Sequence, residues 1–169
     1  LLEMQKRGTQ VIDLEGIAHH RGSAFGHLGL APQPSSEQFE NEVVAQLRQM
    51  DYQKPIWIED ESRHIGQVFM PLGIYSQLRA APLLFLDIDA QYRLPYLVEV
   101  YAHYPKEALA QAIGKIKKRL GGDFYKKALE ALEEDDFSQV AAITLNYYDK
   151  AYVHGLNKRT EEQIQVLVL

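Results

Sequence analysis

The stretch VIDLEGIAHHRGSAFG, residues 11–26, contains the side chains of this sequence best suited to bind an anion. A loop with Arg21, Gly22 and Ser23 can direct a guanidinium, a hydroxyl and backbone amides at one phosphate or carboxylate group. Gly22 also permits a positive φ and a close approach of the ligand. The residue types therefore predict an anion-binding loop, and a polar turn with solvated histidines is the alternative with the same composition.

Carboxylates follow two apolar runs of the sequence, at the points where each predicted strand ends. They are Asp13 and Glu15 after the first run, and Glu59, Asp60 and Glu61 after the second. Carboxylates at the carboxyl edge of a parallel sheet can hold magnesium through water and orient an attacking group in phosphate chemistry. We therefore predict a magnesium site at Asp13, Glu59 and Asp60, whereas solvated acids at strand ends are the plainer interpretation.

Two further arginines could contact a phosphate group. Arg63 follows the second set of acids, whose mutual repulsion calls for a cation nearby. Arg93 begins the helix after the third predicted strand, where it could reach a transferred phosphate. Salt bridges from Arg93 to Asp87 or Asp89 are equally consistent with the sequence.

A basic stretch with aromatic neighbours predicts a nucleic-acid contact. Its residues are Lys115, Lys117, Lys118, Arg119, Lys126 and Tyr147. Lysine and arginine neutralise RNA phosphates, and exposed aromatic rings stack on unpaired bases. An ordinary solvated helix face with half-buried tyrosines would have the same residues, and it is the alternative to RNA binding.

Composition limits the class of protein. With 169 residues, of which 46% are hydrophobic, the chain can bury one core, and we predict a single domain over residues 1–169. The net charge of -5 argues against a globally basic nucleic-acid binder, although residues 106–127 contain seven Lys or Arg against two acids. The absence of cysteine excludes disulfides and thiolate metal sites. We expect a cytoplasmic protein that has no membrane partner.

The elements that position these residues alternate between strands and helices. The predicted strands are Gln10–Leu14, Ile56–Ile58 and Pro82–Asp87. The predicted helices begin at Ser35 or Ser36, lie around Ile74–Ala80, and fill a helical subregion of about 90–155. Strands that alternate with helices indicate a parallel sheet. The last residues, from Gly155, are expected to form a tail or a terminal helix, and the opening LLEMQKRG reads as the end of a helix whose upstream part is missing.

Several stretches together resemble one family, the tRNA 2-selenouridine synthases, which join a rhodanese-like domain to a C-terminal P-loop domain. The resemblance rests on DLEGIAHHRGSAFG, PQPSSEQFEN, IEDESRHIG, the apolar strand before Arg93, and LNYYDKAY. It covers nearly all of the chain. The implied fold is α/β, with a P-loop NTPase-like parallel sheet, flanking helices and a helical C-terminal part. No G-x-x-x-x-G-K-[ST] loop is present, so we expect that loop and the rhodanese-like domain to lie upstream of Leu1.

The resemblance implies an enzyme that converts wobble 2-thiouridine of tRNA to 2-selenouridine through a geranylated intermediate. Selenophosphate and geranyl diphosphate are the implied co-substrates. We expect no tightly bound cofactor, and magnesium is the one metal ion that the acidic residues suggest. The implied partners are the anticodon region of tRNA and the rhodanese-like domain of the same parent chain. We expect this stretch alone to be inactive.

Site roles follow from the same resemblance. The implied catalytic residues are Asp60, Glu61, Arg21 and His20, and the implied phosphate-binding residues are Arg21, Gly22, Ser23, Arg63 and Arg93. Glu59, Asp60 and Glu61 would hold magnesium or order a polar network around the leaving group. Two other functions remain open at this point: a small-molecule P-loop kinase, and a non-catalytic RNA-binding module.

Overall fold

The computed structural model describes all residues, 1–169, and divides into two compact units, residues 1–81 and 82–169. Each unit contains one pair of parallel strands flanked by helices. The fold is therefore mixed α/β with short parallel sheets, and the single domain over residues 1–169 stays a prediction. No helix combines the length and the apolar character needed to cross a membrane.

The first unit contains four helices and four strands. In chain order they are α1 (Leu2–Lys6), β1 (Gln10–Ile12), α2 (Leu14–Ala18), α3 (Ser36–Leu47), β2 (Ile56–Ile58), β3 (His64–Ile65), β4 (Val68–Phe69) and α4 (Leu72–Ala80). Strands β1 and β2 pair in parallel, with Ile12 opposite Ile58. Strands β3 and β4 form an antiparallel hairpin.

A buried apolar cluster holds the first unit together. It contains side chains of β1, α2, α3, the hairpin and α4, among them Ile12, Leu14, Phe39, Val43, Ile65, Val68, Met70 and Leu78. Helix α3 contributes Phe39 and Val43, four residues apart and therefore on one face. Its start is fixed by Ser35, whose hydroxyl accepts a hydrogen bond from the Gln38 amide at 3.1 Å. This start agrees with the sequence prediction.

The second unit is mostly helical. It contains β5 (Leu83–Asp87), α5 (Ala90–Tyr101), α6 (Lys106–Leu120), α7 (Gly122–Glu133), α8 (Phe137–Leu156), a short 3-10 helix (Glu161–Gln163) and β6 (Ile164–Val168). Helices α6, α7 and α8 share a core of aliphatic side chains, including Ile113, Leu132 and Val140. The predicted helical subregion is present as α5–α8.

The sequence prediction was wrong for three elements. The run after Ile12 is not a loop: Leu14–Ala18 forms the one-turn helix α2, because Asp13 accepts a hydrogen bond from the Gly16 amide and caps it. The hairpin at residues 64–69 was missed. The C-terminal segment is neither a tail nor a helix but the strand β6, which pairs in parallel with β5 and places Leu83 opposite Ile164. These three elements depend on a capping bond or on distant pairing.

Candidate functional site

The carboxyl ends of β1 and β2 lie side by side and bring acidic residues together. Because Ile12 pairs with Ile58, the residues that follow them, Asp13 and Glu59, leave the sheet at the same edge. Glu59 Oε2 accepts a hydrogen bond from the Leu14 amide at 2.9 Å. Asp13 Oδ1 accepts one from the Gly16 amide at 2.7 Å. Both carboxylates therefore satisfy amides in the first turn of α2 and fix that turn to the end of β2.

Asp13 and Glu59 also interact with each other as a carboxyl pair. Burial raises the pKa of Glu59 to about 7, the bond from the Leu14 amide opposes this, and the charge of Asp13 and a hydrogen bond to it raise it further. A hydrogen bond between two carboxyl groups needs one proton. Glu59, whose pKa is raised to about 7, can therefore supply the proton of this contact near neutral pH.

Glu15 and Glu61 form a second carboxyl pair beside the first. Burial raises the pKa of Glu15 to about 7, and the charge of Glu61, a hydrogen bond to it and the charge of Asp13 act in the same direction. Burial likewise raises the pKa of Glu61, although its hydrogen bond to Glu15 acts the other way. Arg21 is the cation that lowers the pKa of Glu15. The structure thus brings Arg21 to the carboxyl pair contributed by α2 and by the segment after β2.

The backbone of Gly22 lies directly against this second pair. Gly22 has φ +65°, and a Cβ at this position would lie 2.6 Å from Glu61 Oε1 and 3.1 Å from Glu15 Oε1. Any larger residue would meet both carboxyls and would also occupy a left-handed conformation. The glycine that the sequence singled out is therefore required for the loop to approach the Glu15–Glu61 pair.

The loop that contains Arg21 closes on itself through backbone hydrogen bonds. The Arg21 amide donates to the Gly26 carbonyl at 3.0 Å, and the Gly26 amide donates to the Ser23 carbonyl at 2.9 Å. The Ser23 hydroxyl accepts a bond from the Phe25 amide at 3.2 Å. Most loop amides therefore have partners within the loop, which leaves the Arg21 side chain as the main group available to an anion.

The Arg21 guanidinium is anchored on one side only. Its Nη1 donates to the Leu28 carbonyl at 3.2 Å, and the structure gives its other N–H groups no acceptor. An arginine has five N–H donors in a fixed plane. Arg21 can therefore bind two oxygens of a phosphate group while Leu28 holds its orientation.

His20 lies behind the loop rather than on its surface. The residue is 7% exposed, its ring stacks at 6.3 Å on that of His27, and a Cβ on either Gly26 or Gly66 would collide with the ring. His19 ends α2 in a left-handed conformation, and its Nδ1 lies 2.9 Å from the Pro32 carbonyl. The burial of His20 is that of a group that supports the loop, and its direct contact with a ligand stays a prediction.

Gln33 connects the loop segment to the hairpin, and sequence reasoning missed it. Its Nε2 donates to the carbonyls of Ala18 at 3.0 Å and Ile65 at 2.9 Å, and its Oε1 accepts from the Gln67 amide at 2.8 Å. One side chain thus satisfies three backbone groups on two elements. The only sequence signal was a lone amide side chain between two prolines.

The remaining predicted site residues have other partners or are exposed. Asp60 forms an ion pair with Arg79, at 3.0 and 3.1 Å from Arg79 Nη1, and Arg63 is exposed. In the second unit, Arg93 binds Asp149 through two hydrogen bonds of 2.6 and 3.0 Å. The sequence offered Asp87 and Asp89 as partners of Arg93. Asp87 and Asp89 raise the pKa of Arg93 through their charge alone, and their effect is smaller than that of Asp149.

Metal binding receives no geometric support. No group of three or more His, Asp or Glu side chains is placed to hold one ion. Asp60 points to Arg79, while Asp13 and Glu59 cap α2. The magnesium site at Asp13, Glu59 and Asp60 stays a prediction.

The predicted RNA-binding residues lie around the end of α6 and on the helices that follow it. Lys115, Lys117, Lys118, Arg119 and Lys126 are exposed, and Tyr147 is half-buried on α8. Tyr147 lies close enough to Arg119 to raise its pKa. The cations therefore face solvent, as an interaction surface requires, and their contact with RNA stays a prediction.

Comparison with known proteins identifies the class to which this fold and site belong. The sequence model of the family described as "tRNA 2-selenouridine synthase AAA domain" matches residues 2–166. The chain belongs to this family. No solved structure matches it.

Individual relatives agree with the family match. A tRNA 2-selenouridine synthase of Shewanella sp. (strain MR-7) is 33% identical over 91% of this chain and 50% of its own length. The synthase of Marinobacter nauticus is 32% identical over 93% of the chain and 50% of its length. That of Nitrosomonas europaea is 30% identical over 88% and 51%. The chain spans about half the length of the curated relatives it matches.

Proposed function

We propose that this chain is the part of a tRNA 2-selenouridine synthase that binds a phosphorylated co-substrate, with Arg21 as the anion-binding residue. The observation that carries the proposal is the position of the Arg21 guanidinium and the hydrogen-bond donors that it has left over. Its guanidinium is fixed by the Leu28 carbonyl, has N–H donors left over, and lies at a strand edge with two proton-sharing carboxyl pairs. The family match and the parallel strand pairs support a P-loop-like α/β fold for this domain.

The reaction we propose for the whole enzyme replaces the sulfur of wobble 2-thiouridine by selenium. In the first step, the sulfur forms a bond to the terminal carbon of a geranyl group, and the bond from that carbon to the diphosphate oxygen breaks. In the second step, the selenium of selenophosphate forms a bond to C2 of the uridine, the bond from C2 to the geranylated sulfur breaks and releases geranyl thiol, and water then cleaves the selenium–phosphorus bond to release phosphate. Both co-substrates are phosphate-bearing anions, so one arginine-centred site suits either of them.

The carboxyl pairs explain how an anion could approach so many acids. Ionised carboxylates would repel a diphosphate, whereas a protonated carboxyl carries no charge and donates a hydrogen bond. With pKa values of about 7, Glu15 and Glu59 are each about half protonated at neutral pH, whereas an ordinary glutamate is almost fully ionised there. Either group could protonate the leaving phosphate oxygen, as carboxylic acids with raised pKa values do in other enzymes.

A matched pair of arginine substitutions tests the proposal. Arg21→Ala removes the anion-binding group, and Arg48→Ala removes an exposed arginine at the end of α3. We expect diphosphate binding, measured by calorimetry, to weaken at least about tenfold in Arg21→Ala and to stay unchanged in Arg48→Ala.

Activity should follow binding. In the longest natural polypeptide that contains this chain, we expect Arg21→Ala to reduce geranylation and selenation of a thiolated anticodon stem-loop at normal RNA affinity. If Arg21→Ala binds diphosphate as tightly as the parent does, the proposal is contradicted. Consumption of ATP with a small polyol, together with indifference to thiolated RNA, would favour the kinase alternative instead.

A further inference from the structure

At the turn between α6 and α7, lysine side chains lie over aromatic rings. Lys117 Nζ lies 4.8 Å from the centroid of the Tyr125 ring, and Lys127 Nζ lies 5.9 Å from that of Phe124. Tyr147 of α8 lies close enough to Arg119 to raise its pKa. These residues, which we call the cation–aromatic patch, are Lys117, Arg119, Phe124, Tyr125, Lys127 and Tyr147.

A glycine makes the patch compact. Gly121 has φ +92° and ends α6, and α7 begins at the next residue. The last turn of α6 and the first turns of α7 are therefore adjacent with no loop between them. The edge-on contact of Tyr147 with Tyr148, at 4.8 Å between ring centroids, adds a second ring on the α8 side.

Helix stability does not account for the charges of α7. Residues 115–127 contain six Lys or Arg and one acid, in a chain whose net charge is -5. The cations in the last turn of α6 suit the negative end of its dipole, and Asp123 suits the first turn of α7, but Lys126 and Lys127 lie beyond that first turn, where the dipole does not stabilise them. Lys126 also precedes Glu130 by four residues, the weaker order for such a pair. The basic character of this turn therefore calls for an explanation other than folding.

Phe124 is the exposed aromatic ring of the patch. It lies in the first turn of α7 and is 47% exposed, whereas Tyr125 and Tyr147 are half-buried. A phenylalanine left in water gains nothing for the fold, yet its flat face suits the face of an unpaired base. Lys127 lies on the same ring and can contact the phosphate that belongs to a stacked nucleotide.

We infer that Phe124 is a stacking platform for an unpaired nucleotide of RNA, with Lys117, Arg119 and Lys127 contacting the phosphates around it. Charge complementarity favours RNA over other partners, since the surface combines phosphate-binding cations with a ring that stacks. An acidic peptide would pair with the cations but would make no contact that needs the Phe124 ring. A membrane surface would need more than one exposed apolar side chain in the patch. The inference rests on the proposed function, since it concerns how the RNA substrate is held.

Binding of two RNAs by the full chain tests the inference. The probes are a labelled anticodon stem-loop, which has unpaired bases, and a blunt duplex of the same length. We expect Phe124→Ala to weaken stem-loop binding about tenfold, the loss typical of one stacked base, and to leave duplex binding unchanged. Phe124→Trp should retain or strengthen stem-loop binding, and quenching of the introduced indole should report the stacked base.

Matched controls separate stacking from charge and from folding. Tyr96→Ala removes an exposed aromatic ring of α5, 64% exposed, and should leave both RNAs bound as before. Lys117→Glu should weaken both RNAs. Equal effects of Phe124→Ala on stem-loop and duplex, or no effect on either, would overturn the inference, as would Phe124-dependent binding to anionic vesicles without RNA binding. Diphosphate binding that does not depend on Arg21 would overturn the proposed function alone, because the patch is tested with RNA.

Discussion

Glu15 and Glu61 are hydrogen-bonded to each other beneath the backbone of Gly22, where a Cβ would lie 2.6 Å from Glu61 Oε1. Two acids separated by forty-five residues of sequence therefore support the turn that presents Arg21. A proton holds this contact together, since two ionised carboxylates would repel each other. The shape of the anion-binding loop is thus linked to the protonation of the acids below it.

This link predicts a pH dependence of stability that Glu15→Gln should remove. The pKa of Glu15 is about 7 in the folded chain and 4.5 ordinarily, so between these values the folded chain keeps a proton that the unfolded chain has lost. The free energy of unfolding should therefore fall as pH rises through this window. Glutamine can still donate a hydrogen bond to Glu61 but has no proton to lose.

Urea unfolding of the parent and of Glu15→Gln at a series of pH values measures this effect. Above about pH 8 we expect Glu15→Gln to be more stable than the parent by about 1 to 2 kcal/mol, less than the full value of the shift because the side chain is partly exposed. Glu37→Gln, at an exposed site in α3, should follow the parent. Equal slopes for the parent and Glu15→Gln would contradict the shared proton.

The carboxyl contact also predicts that Gly22 tolerates no side chain. We expect Gly22→Ala to lower the free energy of unfolding by about 1 to 3 kcal/mol, from the left-handed φ together with the approach to two carboxyl oxygens. Gly73→Ala is the matched control, because nothing lies within 4 Å of a Cβ there and the residue is helical, so it should be neutral or stabilising. Thermal unfolding of the two variants gives the comparison. A Gly22→Ala variant as stable as Gly73→Ala would show that the loop does not rest on the pair.

The clamp made by Gln33 predicts a further loss. Gln33→Ala leaves the Ala18 and Ile65 carbonyls and the Gln67 amide without their partner, and we expect a loss of about 1 to 3 kcal/mol. Gln49→Ala, at an exposed site after α3, is the control and should change stability by less than about 0.5 kcal/mol. Hydrogen exchange should localise the effect to the loop and the hairpin. Uniform exchange rates in the parent and in Gln33→Ala would argue against the clamp.

Local patterns in the sequence were sufficient to predict most of the helices, although not α2. The capping residues Ser35 and Ser36 located the start of α3, and the predicted helical subregion of about 90–155 contains α5–α8. The recurrence of acids after two apolar runs indicated that they would meet. Parallel pairing of β1 with β2 does bring Asp13 and Glu59 to one edge.

Long-range partners could not be predicted in the same way. The strand β6 has no local signal that distinguishes it from a tail, because its pairing with β5 joins residues about eighty positions apart. The partner of Asp60 is Arg79, nineteen residues away, and the partner of Arg93 is Asp149, fifty-six residues away. Which carboxyl lies near Arg21 is decided by tertiary packing: Glu15 does, whereas Asp60 pairs with Arg79.

The most direct test of the account is the affinity of the chain for sulfate, an anion of constant charge, from about pH 6 to about pH 8. Because we propose that protonated Glu15 and Glu59, whose pKa values are about 7, favour anion binding at Arg21, we predict that affinity falls at least about tenfold over this range. The double variant Glu15→Gln, Glu59→Gln should bind with little pH dependence, and Arg21→Ala should bind weakly throughout. Sulfate affinity in the parent that is independent of pH, or that rises with pH, would contradict the account.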